Sequence, residues 1–175
     1  MSLYDLSGAV IDFVRGNAAW AAPVAFALAF LESLAVFSLI VPAWAALVGI
    51  GALVHAAELP FWPVWMAASL GAALGDWVSY WLGYTFKERV AQLWPMSRHP
   101  TLLPRGHAFM EKWGVASVFI GRFFGPLRAA IPLCAGILEM PILPFQLANF
   151  TSAAVWAWVL LTVGDFGAVL LSWST

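Results

Sequence analysis

Residues 18–54 form an almost wholly apolar run in which Glu32 is the single formal charge, with Pro23 and Pro42 inside it. A membrane-spanning helix needs about 20 apolar residues, so the run is too long for one straight helix. Glu32 and Pro42 fall where two clean spans would have to continue, and the pattern predicts a broken, re-entrant hairpin. Residues 59–86 predict a long helix holding Asp76, and residues 143–172 a last helix with Asp165 near its end. Between them, residues 113–138 are apolar but carry Arg122 and Arg128 together with Gly125, Pro126, Pro132 and Gly136. This is the second predicted broken segment, with re-entrant breaks expected at Pro42 in the first and at those glycines and prolines in the second.

The polar stretch 86–112 separates the two apolar halves. It holds Lys87, Arg89, Arg98, Arg105 and Lys112 against Glu88 and Glu111, so the excess of positive charge places it on the cytoplasmic side. His99 and His107 lie here with Pro95, Pro100 and Pro104, too far apart and without further Cys or His for a metal site. Trp62, Trp65, Trp94 and Trp113 fall near span ends and suit interfacial anchoring. Trp77, Trp156 and Trp158 are expected to be packing residues.

A faint repeat appears when 63–83 is laid on 144–164. Pro63/Pro144, Ala67/Ala148, Ala72/Ala153, Ala73/Ala154, Trp77/Trp158, Val78/Val159 and Gly83/Gly164 coincide. Each of these helices follows a broken segment with an ionisable group. If neither broken segment crosses fully, the two helices run in opposite directions, an inverted repeat of the kind found in transporters with midplane binding sites.

Composition sharpens the class. Of 175 residues, 63% are hydrophobic and 10% charged, where soluble domains carry about 25% charged residues. With a mean hydropathy of +0.87, the chain reads as an all-α integral membrane protein. It divides as one domain, 1–175, with a first half 18–86, a basic cytoplasmic connector 87–112 and a second half 113–175. The start of the chain has no basic stretch ahead of its apolar residues, so no cleavable signal peptide is expected. Cys134 is the single cysteine, which excludes an intramolecular disulfide and reads as a small buried residue. Neither a metal, a cofactor nor a nucleic-acid partner is expected.

The chemistry lies in the charges at membrane depth. A guanidinium there costs several kcal/mol, about 2.5–3.5 on insertion scales, so Arg122 and Arg128 mark a place where something anionic is met. Gly125 and Pro126 take the chain out of a helix between them, and non-helical backbone at that depth is tolerated only inside protein or beside a water-filled cavity. Arginine adds a planar donor fork suited to phosphate or carboxylate. The alternative is that both arginines snorkel or pair with internal carboxylates for stability. Glu32, buried among apolar groups, is costly to ionise and suited to carry a proton, or to pair with one of the arginines. Gly71 and Gly75, four apart, offer a smooth face for close helix packing. Asp76 and Tyr80 share one face, placed to bond the same neighbour, and Asp76 is a second candidate for ion pairing or proton coupling. No phosphate-binding loop, catalytic triad or zinc spacing is present in the sequence.

These residues resemble the DedA family of bacterial inner-membrane proteins, also called the VTT or SNARE-associated domain family. Phe30-Leu-Glu32 with Pro42 is similar to its first broken segment. Gly71-x-x-x-Gly75-Asp76-x-x-x-Tyr80-x-x-Gly83 resembles its central glycine motif. Gly121-Arg122-Phe-x-x-Pro126-x-Arg128-x-x-x-Pro132-x-x-x-Gly136, followed by Met140, Phe145, Asn149 and Trp156, resembles its most recognisable stretch. The resemblance implies two re-entrant hairpins meeting head-on within a bacterial inner membrane. It also implies movement of polyprenyl-phosphate carriers or phospholipids between leaflets, proton-dependent in several members, with Glu32, Arg122 and Arg128 at positions regarded as essential. Many members have an acidic residue two positions after the proline matching Pro42, where this chain has Trp44, which reduces the expected carboxylate pair to one. Relatives often continue into another helix past the position of Thr175, so the expectation is either a C-terminus lying outside or a second copy of the chain covering the face left open.

The expected activity is therefore transport of an anionic lipid between leaflets by a non-enzymatic, proton-responsive mechanism. The alternatives are a small-anion transporter using the same cavity, or a membrane-organising protein that binds a partner and moves nothing. A membrane phosphatase stands behind all three, for want of a nucleophile.

Overall fold

The computed structural model describes residues 16–35, 44–87, 89, 97, 100–124 and 127–173. The start of the chain and Pro42, Glu88, Trp94, Pro95, Arg98, His99, Gly125 and Pro126, all of which carried expectations, lie outside them. Among the described residues there is no strand. There are a 3-10 turn at Ala18–Trp20 and seven α-helices: α1 (Ala21–Ser33), α2 (Trp44–Ala56), α3 (Phe61–Phe86), α4 (Leu102–Trp113), α5 (Ala116–Gly121), α6 (Leu127–Ile137) and α7 (Ile142–Trp173).

Proline places the helix starts. Pro23, Pro63, Pro104 and Pro144 each occupy the third residue of α1, α3, α4 and α7. The first-turn N–H groups of a helix have no internal acceptor, so the missing proton of proline costs nothing there. Pro23 therefore begins a helix and does not break one. The break comes at Leu34, which turns extended (φ −69°, ψ 122°) directly after Glu32 and Ser33.

The helices pack through small residues. α1 lies along α3, α2 along α7, α3 also against α6 and α7, α4 against α6, and α5 against α7. At Gly71 a side chain would overlap the Phe26 carbonyl, and at Gly75 it would reach within 2.8 Å of Ser33 Cβ. The expected role of these glycines in close packing is what the structure shows. Further along the same seam, Ala35 N–H donates to Ser79 Oγ at 3.0 Å, and Ser79 Oγ donates to the Gly75 carbonyl at 3.0 Å. α1 and α3 thus run side by side in the same direction.

Several expectations are corrected. Pro132 and Gly136 do not break a helix, because both lie inside α6. Gly136 instead permits contact with the α3 backbone at Tyr80 and Tyr84, where a Cβ would clash. The second segment opens ahead of α6, after Gly121, in the turn that carries Arg122. The connector 87–112 is not wholly a loop, since from Leu102 onward it enters α4, which buries Leu102, Gly106 and Met110 at four-residue spacing. That spacing keeps one face on α6, where Gly106 sits against Cys134 and Ala130. Trp77 and Trp158 are half exposed on the outer surface, and of the three expected packing tryptophans only Trp156 is buried. Trp65 is half-buried and ties α3 to α7 by donating to the Ala154 carbonyl at 2.9 Å. Tyr80 and Asp76 do not share a neighbour: Tyr80 donates to the Met140 carbonyl at 2.6 Å, whereas Asp76 meets Arg122.

The offset of 81 recurs in the architecture. It carries Ala21 onto Leu102, Ala56 onto Ile137 and Phe61 onto Ile142, which are the bounding residues of α1/α4, α2/α6 and α3/α7. The α2–α3 and α6–α7 turns also repeat bond for bond. Ala57, Glu58 and Leu59 donate to Leu53, His55 and Val54, as Leu138, Glu139 and Met140 donate to Cys134, Gly136 and Ala135. Both turns put a glutamate, Glu58 and Glu139, at φ 54°. This is the left-handed helix-ending conformation that glycine usually supplies.

By length and composition, one helix among the described residues can cross a membrane, Ile142–Gly167 within α7. The apolar segments Ala18–Ser33, Ala45–Ala56 and Leu127–Ile137 are shorter.

Candidate functional site

Glu32 ends α1, Asp76 lies midway along α3, Arg122 follows α5, and Arg128 is the second residue of α6. The α1–α3 seam and the crossing of α3 with α7 bring these four together as two ion pairs. Arg122 Nη2 donates to Asp76 Oδ2 at 2.5 Å, and Arg128 Nη1 donates to Glu32 Oε1 at 2.5 Å. Each pair joins a carboxylate of the first half to an arginine of the second. Exposure is 4% for Arg122, 3% for Glu32 and 7% for Asp76, so these charges are buried.

The α7 face completes the Arg122 seat. Arg122 Nε donates to Ser152 Oγ at 2.9 Å, and Nη2 also donates to Asn149 Oδ1 at 2.6 Å. Asn149 is oriented by its own amide, whose Nδ2 donates to the Ala73 carbonyl at 2.9 Å. Ser152 Oγ in turn donates to the Asn149 carbonyl at 3.0 Å. Arg128 is less enclosed. Its Nη2 reaches Ser33 Oγ at 3.4 Å, and its guanidinium lies 4.8 Å from the centre of the buried Trp156 ring. A cation over an aromatic face is attracted by the ring quadrupole.

Among the described residues, two buried side-chain atoms have no hydrogen-bond partner: Arg122 Nη1 and Glu32 Oε2. Leaving a buried donor or acceptor unmade costs about 1–3 kcal/mol, more when it belongs to a charged group. One is a donor on a cation and the other an acceptor on a carboxylate, so the site retains capacity for a polar ligand atom of either kind. Among the described residues, no three His, Cys, Asp or Glu side chains come together as a metal site.

Buried Arg122, Glu32 and Asp76 and the partly buried Arg128 are thus brought into one cluster. Pro132 lies buried inside α6, and Gly136 lets α6 approach the α3 backbone at Tyr80 and Tyr84. Ser33, Ser79 and Ser152 went unremarked in the sequence. Asn149 stood out only as a marker of a resemblance, and Trp156 as that and as an expected packing residue. Their spacing carried a signal, since Asn149, Ser152 and Trp156 fall three and then four residues apart on one face of α7.

Comparison with known proteins places this arrangement. The family model of the VTT domain matches residues 41–166. The chain belongs to the VTT-domain, or DedA, family. That stretch of the VTT domain includes Asp76, both arginines and Asn149, with Glu32 just ahead of it. The inner membrane protein YabI of Escherichia coli K12 is 33% identical over 144 residues, 82% of this chain and 57% of YabI. The inner membrane protein YqjA of the same strain is 30% identical over 145 residues, 81% of this chain and 64% of YqjA. A membrane protein of Buchnera aphidicola (strain Sg) is 33% identical over 129 residues, 74% of this chain and 51% of that protein. The chain therefore spans between half and two thirds of the length of these VTT-domain relatives. No solved structure matches. The relatives' names and the apolar composition together make this chain a membrane protein.

Proposed function

We propose that this VTT-domain chain moves an anionic lipid, a polyprenyl phosphate or a phospholipid, between membrane leaflets. The observation that carries the reading is the pair of arginines, Arg122 buried and Arg128 partly buried, each held by a carboxylate from the other half, with Arg122 Nη1 unpaired among the described residues. Glu32 and Asp76 act as internal stand-ins for the substrate's phosphate. An arriving headgroup takes the guanidinium forks in their place, while the tail stays in lipid. Glu32, displaced from Arg128, takes up a proton, because an unpaired carboxylate at this depth is costly to keep ionised. Losing that proton re-forms the pair and expels the headgroup.

The architecture supports such a path. Ala18–Ser33, Ala45–Ala56 and Leu127–Ile137 are too short to span, which favours two re-entrant hairpins dipping to meet at the charges. Trp65, early in α3, bonds Ala154, and Ala73, later in α3, is bonded by Asn149, earlier in α7 than Ala154. α3 and α7, matched by the offset of 81, thus cross in opposite senses, as an inverted repeat requires. The excess of Lys and Arg between the halves orients that connector to the cytoplasm.

The test is leaflet exchange of labelled anionic lipids, a polyprenyl phosphate among them, in proteoliposomes. Wild type is expected to exchange them, Arg122→Lys with Arg128→Lys to lose at least tenfold in rate, and Glu32→Gln to lose the response to pH. No exchange by folded wild type, with an anion flux that soluble anions compete for, would replace this reading with a small-anion carrier.

A further inference from the structure

The two arginines of the charged cluster are held in different ways. Arg122 has partners on two helices, Asp76 on α3 and both Asn149 and Ser152 on α7. Among the described residues, Arg128 makes its polar contacts to one helix end alone. Its Nη1 donates to Glu32 and its Nη2 reaches Ser33 Oγ at 3.4 Å, and these are the last two residues of α1. Any event that takes the Glu32 carboxylate away, a proton or a competing anion, leaves Arg128 with one long contact to a hydroxyl.

The contact that does not depend on α1 is the Trp156 ring, whose centre lies 4.8 Å from the guanidinium carbon. Trp156 stands on α7 one turn past Ser152, so a single face of that helix serves both arginines. The ring is 6% exposed and belongs to the core cluster that holds Leu47, Ala72 and Ala153, which fixes it in place. A guanidinium carries its N–H groups in its own plane and stacks on a ring through its face. The indole therefore attracts the charge of Arg128 without occupying its donor fork. Hydrogen bonds from α7 would have used up the same donors that a ligand needs.

We propose that Trp156 is a positioning residue. It keeps Arg128 aimed while Glu32 is away from it, and so presents a preset fork to an oxyanion of the phosphate class. This role rests on the reading of Arg128 as a headgroup ligand. Arg122 is anchored by Asn149 and Ser152 and Arg128 by the ring, so each arginine keeps its place through an exchange of anions.

The test uses the full chain in detergent micelles and reads Arg128 directly. The heteronuclear NOE of its Nε–H group is measured on protein carrying nitrogen-15 arginine, the signal being assigned by its loss in Arg128→Lys. Glu32→Met keeps the side-chain length and removes the oxygens. Arg128 is expected to stay rigid in Glu32→Met and in Trp156→Leu, because each retains one anchor. It is expected to become mobile in the double variant, and Trp156→Phe in place of Trp156→Leu should keep it rigid. A side chain that only fills the core would show no such dependence on Glu32. Calorimetric titration with farnesyl phosphate separates this role from the headgroup reading. Wild type is expected to bind it, and Trp156→Leu, with the wild-type elution volume, to bind about tenfold more weakly, the scale of one desolvated cation–ring contact. Rigid Arg128 in Glu32→Met with no binding by wild type would keep Trp156 as the seat and overturn the headgroup reading. The proposal is overturned if Arg128 is mobile in Glu32→Met alone, if it stays rigid in the double variant, or if Trp156→Leu binds as wild type does.

Discussion

Arg122, itself buried, donates to Asp76, Asn149 and Ser152 from two of its three nitrogens. A buried ion pair of this kind adds little net stability, because desolvation offsets the attraction, yet removing one partner leaves an uncompensated charge. Asp76→Asn is therefore expected to cost about 3–5 kcal/mol, and Asp76→Asn combined with Arg122→Gln to cost less than Asp76→Asn alone. Denaturant unfolding of the four proteins in detergent checks this as a double-mutant cycle. Additive losses would mean that the two side chains are not coupled.

At the scale of helices, glycines decide which surfaces meet. Gly71 faces the Phe26 carbonyl so closely that any side chain must push α1 away from α3, and with it Glu32 from Arg128. Gly71→Leu is expected to destabilise by at least the 1–3 kcal/mol typical of overpacking. Gly49, inside α2, has nothing within 4 Å of where a Cβ would stand. Gly49→Ala should then stabilise by about 0.5–1 kcal/mol through backbone entropy. Melting temperatures of the two variants should fall on opposite sides of wild type. Sequence spacing made the Gly71–Gly75 seam legible, because four residues return a helix to the same face. It misjudged Gly136, since a glycine that stops a helix and one that admits a neighbouring backbone are the same letter. Only the course of α3 past α6 separates the two cases.

At the scale of the molecule, Trp62, Trp77, Trp81 and Trp158 stand half exposed on the outer surface while Trp156 lies beneath Arg128. In a membrane that surface meets lipid or another copy of the chain. Brominated acyl chains are expected to quench a variant keeping Trp77, Trp81 and Trp158 as its only tryptophans far more than one keeping Trp156 alone. Equal quenching would mean that a partner covers the face. Composition had announced the membrane, but not which tryptophans face it: Trp156 and Trp158 are two residues apart and point to opposite environments, as the helical period requires.

Local features of the chain were decided by sequence alone. The breaks after Glu32 and before Arg128, the helix starts set by third-position prolines, and the presence of charges within apolar runs each depend on a few neighbouring residues and their backbone preferences. The repeat was visible too, as scattered identities, and its full extent emerged once helix ends and turns could be matched. Tertiary structure alone decided the partners. Asp76 and Arg122 are 46 residues apart, and Glu32 and Arg128 are 96 apart. Either carboxylate carries the charge to satisfy either arginine, so charge could not assign the pairs. The assignment follows from which backbones approach one another, and that is set by alanine, glycine and serine contacts along α1, α3 and α7.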